Sequence, residues 1–96
     1  MPTYISLVKW TEQGAKNARD TVKRAREFRS DVERRGGKLL SIHWTQGQYD
    51  LVTVVEYPDE QTGMAQLLAI GSLGNIRTET LRAFTESEVE AIIKKM

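Results

Sequence analysis

KLLSIHWTQGQYDLVTVVEY, Lys38 to Tyr57, holds two runs of β-branched, aliphatic and aromatic residues with a short polar link between them. Such residues pack well on a pleated surface, so Lys38–Thr45 and Asp50–Tyr57 read as two strands. The link Gln46-Gly47-Gln48-Tyr49 is short enough to make them an antiparallel hairpin. Glycine at 47 permits a positive φ in the link, and Asp50 can bond nearby backbone amides.

Working outward, Tyr4–Trp10 reads as a strand before the hairpin, and Ile76–Phe84 as one after it. Thr11 can cap a helix with Glu12 in its first turn. Ala15, Ala18, Val22, Ala25, Phe28 and Val32 recur at steps of three and four, which predicts one apolar stripe. Gly36-Gly37 ends that helix. Pro58-Asp59 stops the third strand and opens a second helix, with Met64, Leu67, Leu68 and Gly71 as its stripe and Gly74-Asn75 as its close. Thr85-x-x-Glu88 forms a capping box before a last helix bearing Val89, Ile92, Ile93 and Met96. The order β-α-β-β-α-β plus a terminal helix predicts an α+β, ferredoxin-like four-stranded antiparallel sheet, in a single domain over residues 1–96.

Composition narrows the function classes. The chain has no cysteine and one histidine, His43. A disulfide framework is therefore excluded, and a zinc site would need carboxylates or a second chain. Absence of cysteine fits a cytoplasmic protein. No apolar run reaches the roughly 18 residues of a bilayer span, and the N-terminus lacks the pattern of a signal peptide. A net charge of +1 creates no global field for nucleic acid or membrane. Basic residues crowd positions 16–35, but the spacings Lys16–Asp20–Arg24, Lys23–Glu27 and Asp31–Arg35 predict a salt-laced, solvated helix face, not a nucleic-acid surface.

The strands carry apolar residues on both faces. Ile5 and Leu7 oppose Tyr4, Val8 and Trp10; Val52 and Val54 oppose Leu51, Val55 and Tyr57. A half-exposed sheet would alternate apolar with charged residues. Two helices cover one face, and the terminal helix is short for covering the other, so that face predicts a second copy of the chain, sheet against sheet, in a homodimeric α/β barrel. If Val8 and Val55 meet that partner, so do Ser6, Ser41, His43 and Thr53. Leu81 and Ala83 would then suit the helix layer and Thr78, Thr80 and Arg82 the partner side.

The segments KWTEQG (residues 9–14), GQYDLV (47–52) and GSLGNIRTETLRAF (71–84) together resemble the GYD domain family, its namesake letters falling on Gly47, Tyr49 and Asp50. The resemblance implies a ferredoxin-like fold of the dimeric α/β-barrel type and implies little about chemistry. By fold analogy the wider superfamily includes cofactor-free monooxygenases, isomerases and non-catalytic members, and fold does not transfer function.

Three functional readings follow. The first is a homodimer that binds a small, partly apolar molecule, with Ser6, Trp10, His43, Thr53, Thr80 and Arg82 as ligand contacts; a mainly apolar surface dotted with polar groups is what many pockets look like. The second is an enzyme without cofactor or metal, in which His43, Asp50 and Tyr49 move protons. The third is a dimerisation or regulatory module without catalysis. Arg82 beside Thr78-Glu79-Thr80 can also bind an anion through its planar fork. Gly71-Ser72-Leu73-Gly74-Asn75 lacks the Lys-Ser/Thr of a phosphate loop and follows a helix instead of preceding one, so it reads as a C-cap.

Overall fold

A computed structural model describes residues 1–96. The elements are β1 (Thr3–Trp10), α1 (Glu12–Lys16), a 3-10 turn (Ala18–Asp20), α2 (Thr21–Arg34), β2 (Lys38–Trp44), β3 (Leu51–Glu56), α3 (Glu60–Ser72), β4 (Ile76–Ala83) and α4 (Glu86–Ile93). The four strands form one antiparallel sheet in the order β2-β3-β1-β4. This is the ferredoxin-like α+β plan expected from the sequence. The molecule measures 49 × 30 × 18 Å, thin enough for one helix layer on one sheet. None of its helices is long and apolar enough to cross a membrane.

Local signals set the element ends. The Thr11 side chain accepts from the Gly14 amide at 3.2 Å and caps α1. Asp59 accepts from the Thr62 amide at 2.7 Å and caps α3. Thr85 and Glu88 form the full capping box of α4. Gly36, Gly47 and Gly74 all have positive φ, at 83°, 105° and 80°, and sit where the helix exits and the hairpin link were expected.

The first helix differs from the expected continuous one. It breaks at Asn17, whose side-chain amide donates to the Gln13 carbonyl at 3.0 Å. Arg24 reaches back from α2 and donates to the carbonyls of Asn17 (2.7 Å) and Gly14 (3.4 Å). Those acceptors are satisfied without a continuing helix. The break leaves Ala15 and Val22 exposed, while Val32 alone of the expected stripe is fully buried. The salt ladders are also thinner than expected. Asp31–Arg35 forms at 2.9 Å, but Lys16 pairs with Glu12 at 3.9 Å, and Arg24 is engaged with backbone oxygens.

Strand register decides which face each residue serves. Thr53 and Thr80 flank Ser6 directly, and Val55 and Arg82 flank Tyr4. These rows face the helices, because Tyr4 and Val55 pack with Val32, Phe28 and Tyr57 in the core cluster beneath α2. The opposite rows, Val54–Ile5–Leu81 and Val52–Leu7–Glu79, face away from the helices. Thr78, Thr80 and Arg82 therefore belong to the helix side and Leu81 and Ala83 to the rear, the reverse of the sequence expectation. A bulge adds Leu40 between Leu39 and Ser41, so Leu39 joins the core while Ser41 and His43 fall on the rear face. That bulge separates His43 from Ser6 and Thr53.

The stripe of α3 is rotated too. Gly63 and Gln66 are its buried residues, and Met64 and Leu68 are exposed. Tyr57 explains the rotation, since a Cβ at Gly63 would come within 2.9 Å of its ring.

Candidate functional site

Helices α2 and α3 do not close over the middle of the sheet. Between them lies a groove of about 790 Å³, walled by Ala25 and Phe28 of α2 and Leu67 and Ile70 of α3. Its floor is the helix-side face of the sheet, with Ser6, Val8, Thr53, Val55 and Thr80; Trp10 also lines it. This size lies within the roughly 300–1,000 Å³ typical of small-molecule pockets.

One end of the groove is tied by a buried polar chain. The Tyr57 hydroxyl bonds Gln66 Oε1, and Gln66 Nε2 donates to Asp31 Oδ2 at 3.0 Å. Arg35 Nε donates to the same carboxylate oxygen at 2.9 Å. Burial pushes the Tyr57 phenol up to about 12, against the pull of the Arg35 charge. Burial also pushes Asp31 upward, but the hydrogen bonds from Arg35 and Gln66 and the Arg35 charge outweigh it and leave that carboxyl below its ordinary value. The sequence reading missed Gln66. The spacing Gly63, Gln66, Leu67, Ile70 carries the signal, but a glutamine in an apolar stripe goes unread when only hydrophobic residues are counted.

The other end is framed by the segments that carry the family resemblance. Thr11 N–H donates to the Asn75 carbonyl at 3.0 Å, and Thr11 Oγ1 donates to the Gly74 carbonyl at 2.6 Å. Gln13 Nε2 donates to Asn75 Oδ1 at 2.9 Å. A Cβ on Gly14 would lie 2.0 Å from the Asn75 carbonyl oxygen, so only glycine lets α1 sit this close to the start of β4. Trp44 Nε1 donates to Thr21 Oγ1 at 2.9 Å and fastens β2 to the start of α2.

The ligand contacts expected from the sequence fall into three places. Ser6, Trp10, Thr53 and Thr80 meet in the groove. Arg82 lies on the same face but turns away from the groove, stacking on Phe84 at 4.3 Å, donating to the Thr3 carbonyl and facing Glu88 of α4 at 4.0 Å. His43 is exposed on the rear face, in the row of Val52, Leu7 and Glu79.

The namesake residues build the hairpin end. Asp50 Oδ2 accepts from the Trp10 backbone amide at 2.9 Å, and the Asp50 amide donates to the Val8 carbonyl at 2.8 Å. Tyr49 reaches Glu79 on β4, donating from its hydroxyl to Oε2 at 3.0 Å, while Lys9 lies 5.3 Å from the ring centre. The hydrogen bond to Glu79 is the main reason that the Tyr49 phenol is raised. No three His, Asp or Glu side chains come together as a metal site would require.

Fold and site define an α+β, ferredoxin-like protein with an apolar groove on one side of its sheet and an uncovered, largely aliphatic face on the other. The chain belongs to the GYD domain family, which it matches over residues 4–93. It is 33% identical over 95 residues to a Thermus thermophilus protein described as "Glutamine synthetase and cystathionine beta-lyase binding protein", covering 98% of this chain and all of that relative.

Proposed function

We propose that the protein is a homodimeric binding module that acts by holding protein partners, not by turning over a substrate. The observation that carries this reading is the rear face of the sheet. Ile5, Leu7, Val52 and Val54 stay partly exposed there and Leu81 is 50% exposed, because both long helices pack on the other side. The terminal helix leaves Val89, Ile92 and Ile93 exposed as well. Covering aliphatic side chains contributes about 1.5–3 kcal/mol each at full burial, and a second copy of the same face supplies the cover in a closed, two-fold pair. A cytoplasmic setting, expected from the cysteine-free sequence, goes with this reading.

The relative supports the protein-binding part. It is named for binding glutamine synthetase and cystathionine beta-lyase, so enzymes of those two kinds are the partners to test first. The geometry of the proton-transfer candidates favours binding over catalysis. His43 stands on the rear face, Asp50 is engaged with a backbone amide and Tyr49 with Glu79.

Sedimentation equilibrium at micromolar concentration tests the pair, and surface-immobilised glutamine synthetase and cystathionine beta-lyase from the same cell test the partners. A dimer that dissociates in Val54→Glu, with saturable binding of at least one enzyme, supports the reading. A monomer that binds neither enzyme ends it.

A second reading rests on the groove: it holds a small, partly apolar molecule between sheet and helices. Its support is Thr53, only 6% exposed yet lining the groove. Titration of the full chain with apolar dyes tests it.

A further inference from the structure

The floor of the groove carries a cross-strand row of hydroxyls, Thr53, Ser6 and Thr80, set side by side by the sheet register. Ser6 Oγ and Thr80 Oγ1 satisfy one another at 2.9 Å. The Thr53 hydroxyl makes no hydrogen bond within the chain, and no fully enclosed side-chain polar atom of the protein is unpaired. It therefore opens onto the groove, in a residue that is otherwise 94% removed from solvent (6% exposed). A hydroxyl that opens onto an apolar groove, with no bond inside the chain, is free to take a ligand oxygen as its partner.

The basic groups around this floor are already engaged. Arg24 donates to two backbone carbonyls, and Arg34 and Arg35 both pair with Asp31. Glu27 and Glu60 are exposed at the margin. A charged ligand drawn onto the floor would lose its water and meet only hydroxyls, a heavy desolvation cost. A neutral oxygen has no such cost, and a threonine hydroxyl can either donate to a carbonyl or accept from an alcohol.

We infer that the groove selects a neutral, mostly hydrocarbon molecule carrying a carbonyl or hydroxyl oxygen, which hydrogen-bonds to Thr53. This rests on the second reading above and names the chemistry of that site. The apolar body of the ligand lies against Phe28, Leu67 and Ile70, and its oxygen points to the sheet.

The experiment titrates the full chain with two fluorescent dyes: prodan, a neutral naphthyl ketone, and anilinonaphthalene sulfonate, an anion of similar apolar bulk. Prodan should bind saturably, and the sulfonate about tenfold more weakly or worse. Thr53→Val keeps the shape and removes the hydroxyl, and should weaken prodan roughly three- to tenfold. Ala25→Trp, or Ile70→Trp from the opposite wall should the first variant misfold, fills the groove and should abolish prodan binding. Lys23→Ala, exposed on α2 and outside the groove, should leave it unchanged, and Leu81→Lys probes the rear face; circular dichroism checks that each variant is folded.

Equal or tighter binding of the sulfonate would overturn the neutrality of the ligand and leave the groove reading standing. No saturable binding of either dye would overturn both. Prodan lost in Leu81→Lys but kept in the groove variants would place the dye on the rear face and sink the inference. Prodan bound only by Ile93→Asp would mean that α4 of another copy fills the groove, which sinks it equally.

Discussion

Gln66 of α3 donates to Asp31 of α2 at 3.0 Å while its carbonyl oxygen receives the Tyr57 hydroxyl, so a single fully buried side chain joins two helices and the end of a strand. A buried polar group left without its partner costs about 1–3 kcal/mol. Gln66→Leu keeps most of the volume and strands both the Tyr57 hydroxyl and one bond of Asp31. Its unfolding free energy, from urea titration at neutral pH, should fall by about that amount. A value unchanged within about 0.5 kcal/mol would mean that the polar chain does not hold the helices.

Tyr57 also sets a limit at alkaline pH. Its folded phenol is raised from 10.0 to about 12 by burial. The unfolded chain ionises first, so the stability due to the neutral phenol is fully present below pH 10 and is lost as pH climbs towards about 12. Urea midpoints should drop across that window. In Tyr57→Phe the baseline stability is lower, because the bond to Gln66 is gone, but the alkaline drop should be shallower.

At the acid end the signs reverse. Asp59 and Glu88 are held below their ordinary values by the backbone amides of Thr62 and Thr85, as Asp31 is by Arg35 and Gln66 despite its burial. Their stabilisation is complete above the ordinary carboxylate range and disappears as pH falls through the lowered values. Asp59→Asn should therefore flatten the loss of stability seen between about pH 5 and pH 2, read as the thermal midpoint against pH.

Asp50 serves the hairpin by accepting the Trp10 amide. Asp50→Ala removes a charge-assisted hydrogen bond, for which about 1.5–3 kcal/mol is typical. Asp50→Asn retains a carbonyl acceptor and should lose less. The ratio of the two effects, from parallel urea titrations, separates loss of the bond from loss of the charge.

Of the glycines, Gly14 has the least room for a side chain. A methyl group there meets the Asn75 carbonyl oxygen at 2.0 Å, which backbone cannot accommodate without moving α1 off β4. Gly14→Ala should lower stability by about 1–3 kcal/mol, as overpacking does. Gly71→Ala, which meets nothing within 4 Å, should be neutral or slightly stabilising.

The order of elements along the chain, the hairpin, all three helix caps and the glycine turns were legible in the sequence because each depends on neighbours close in the chain. What was not legible depends on register. One extra residue at Leu40 moves His43 to the rear face, and no local pattern announces it. The sequence showed that both faces of the sheet are apolar, but not which face the helices choose; Thr53 and Ser6 went to the helix side. Among the groove residues, the sequence points to Thr53 and Thr80 as ligand contacts, but on the assumption that they face a second copy; that the groove lies between sheet and helices follows only from the register.

Arg24 has a consequence for the open end of the groove. Its guanidinium holds the carbonyls of Gly14 and Asn17, and Gly14 is pressed against Asn75 at the head of β4. One bank of the groove, α2, is thus tethered through α1 to the head of the far edge strand, β4. Pushing α2 outward has to break these carbonyl bonds or drag α1 off β4, so the room available to a guest depends on this tether as well as on the side chains of the bank.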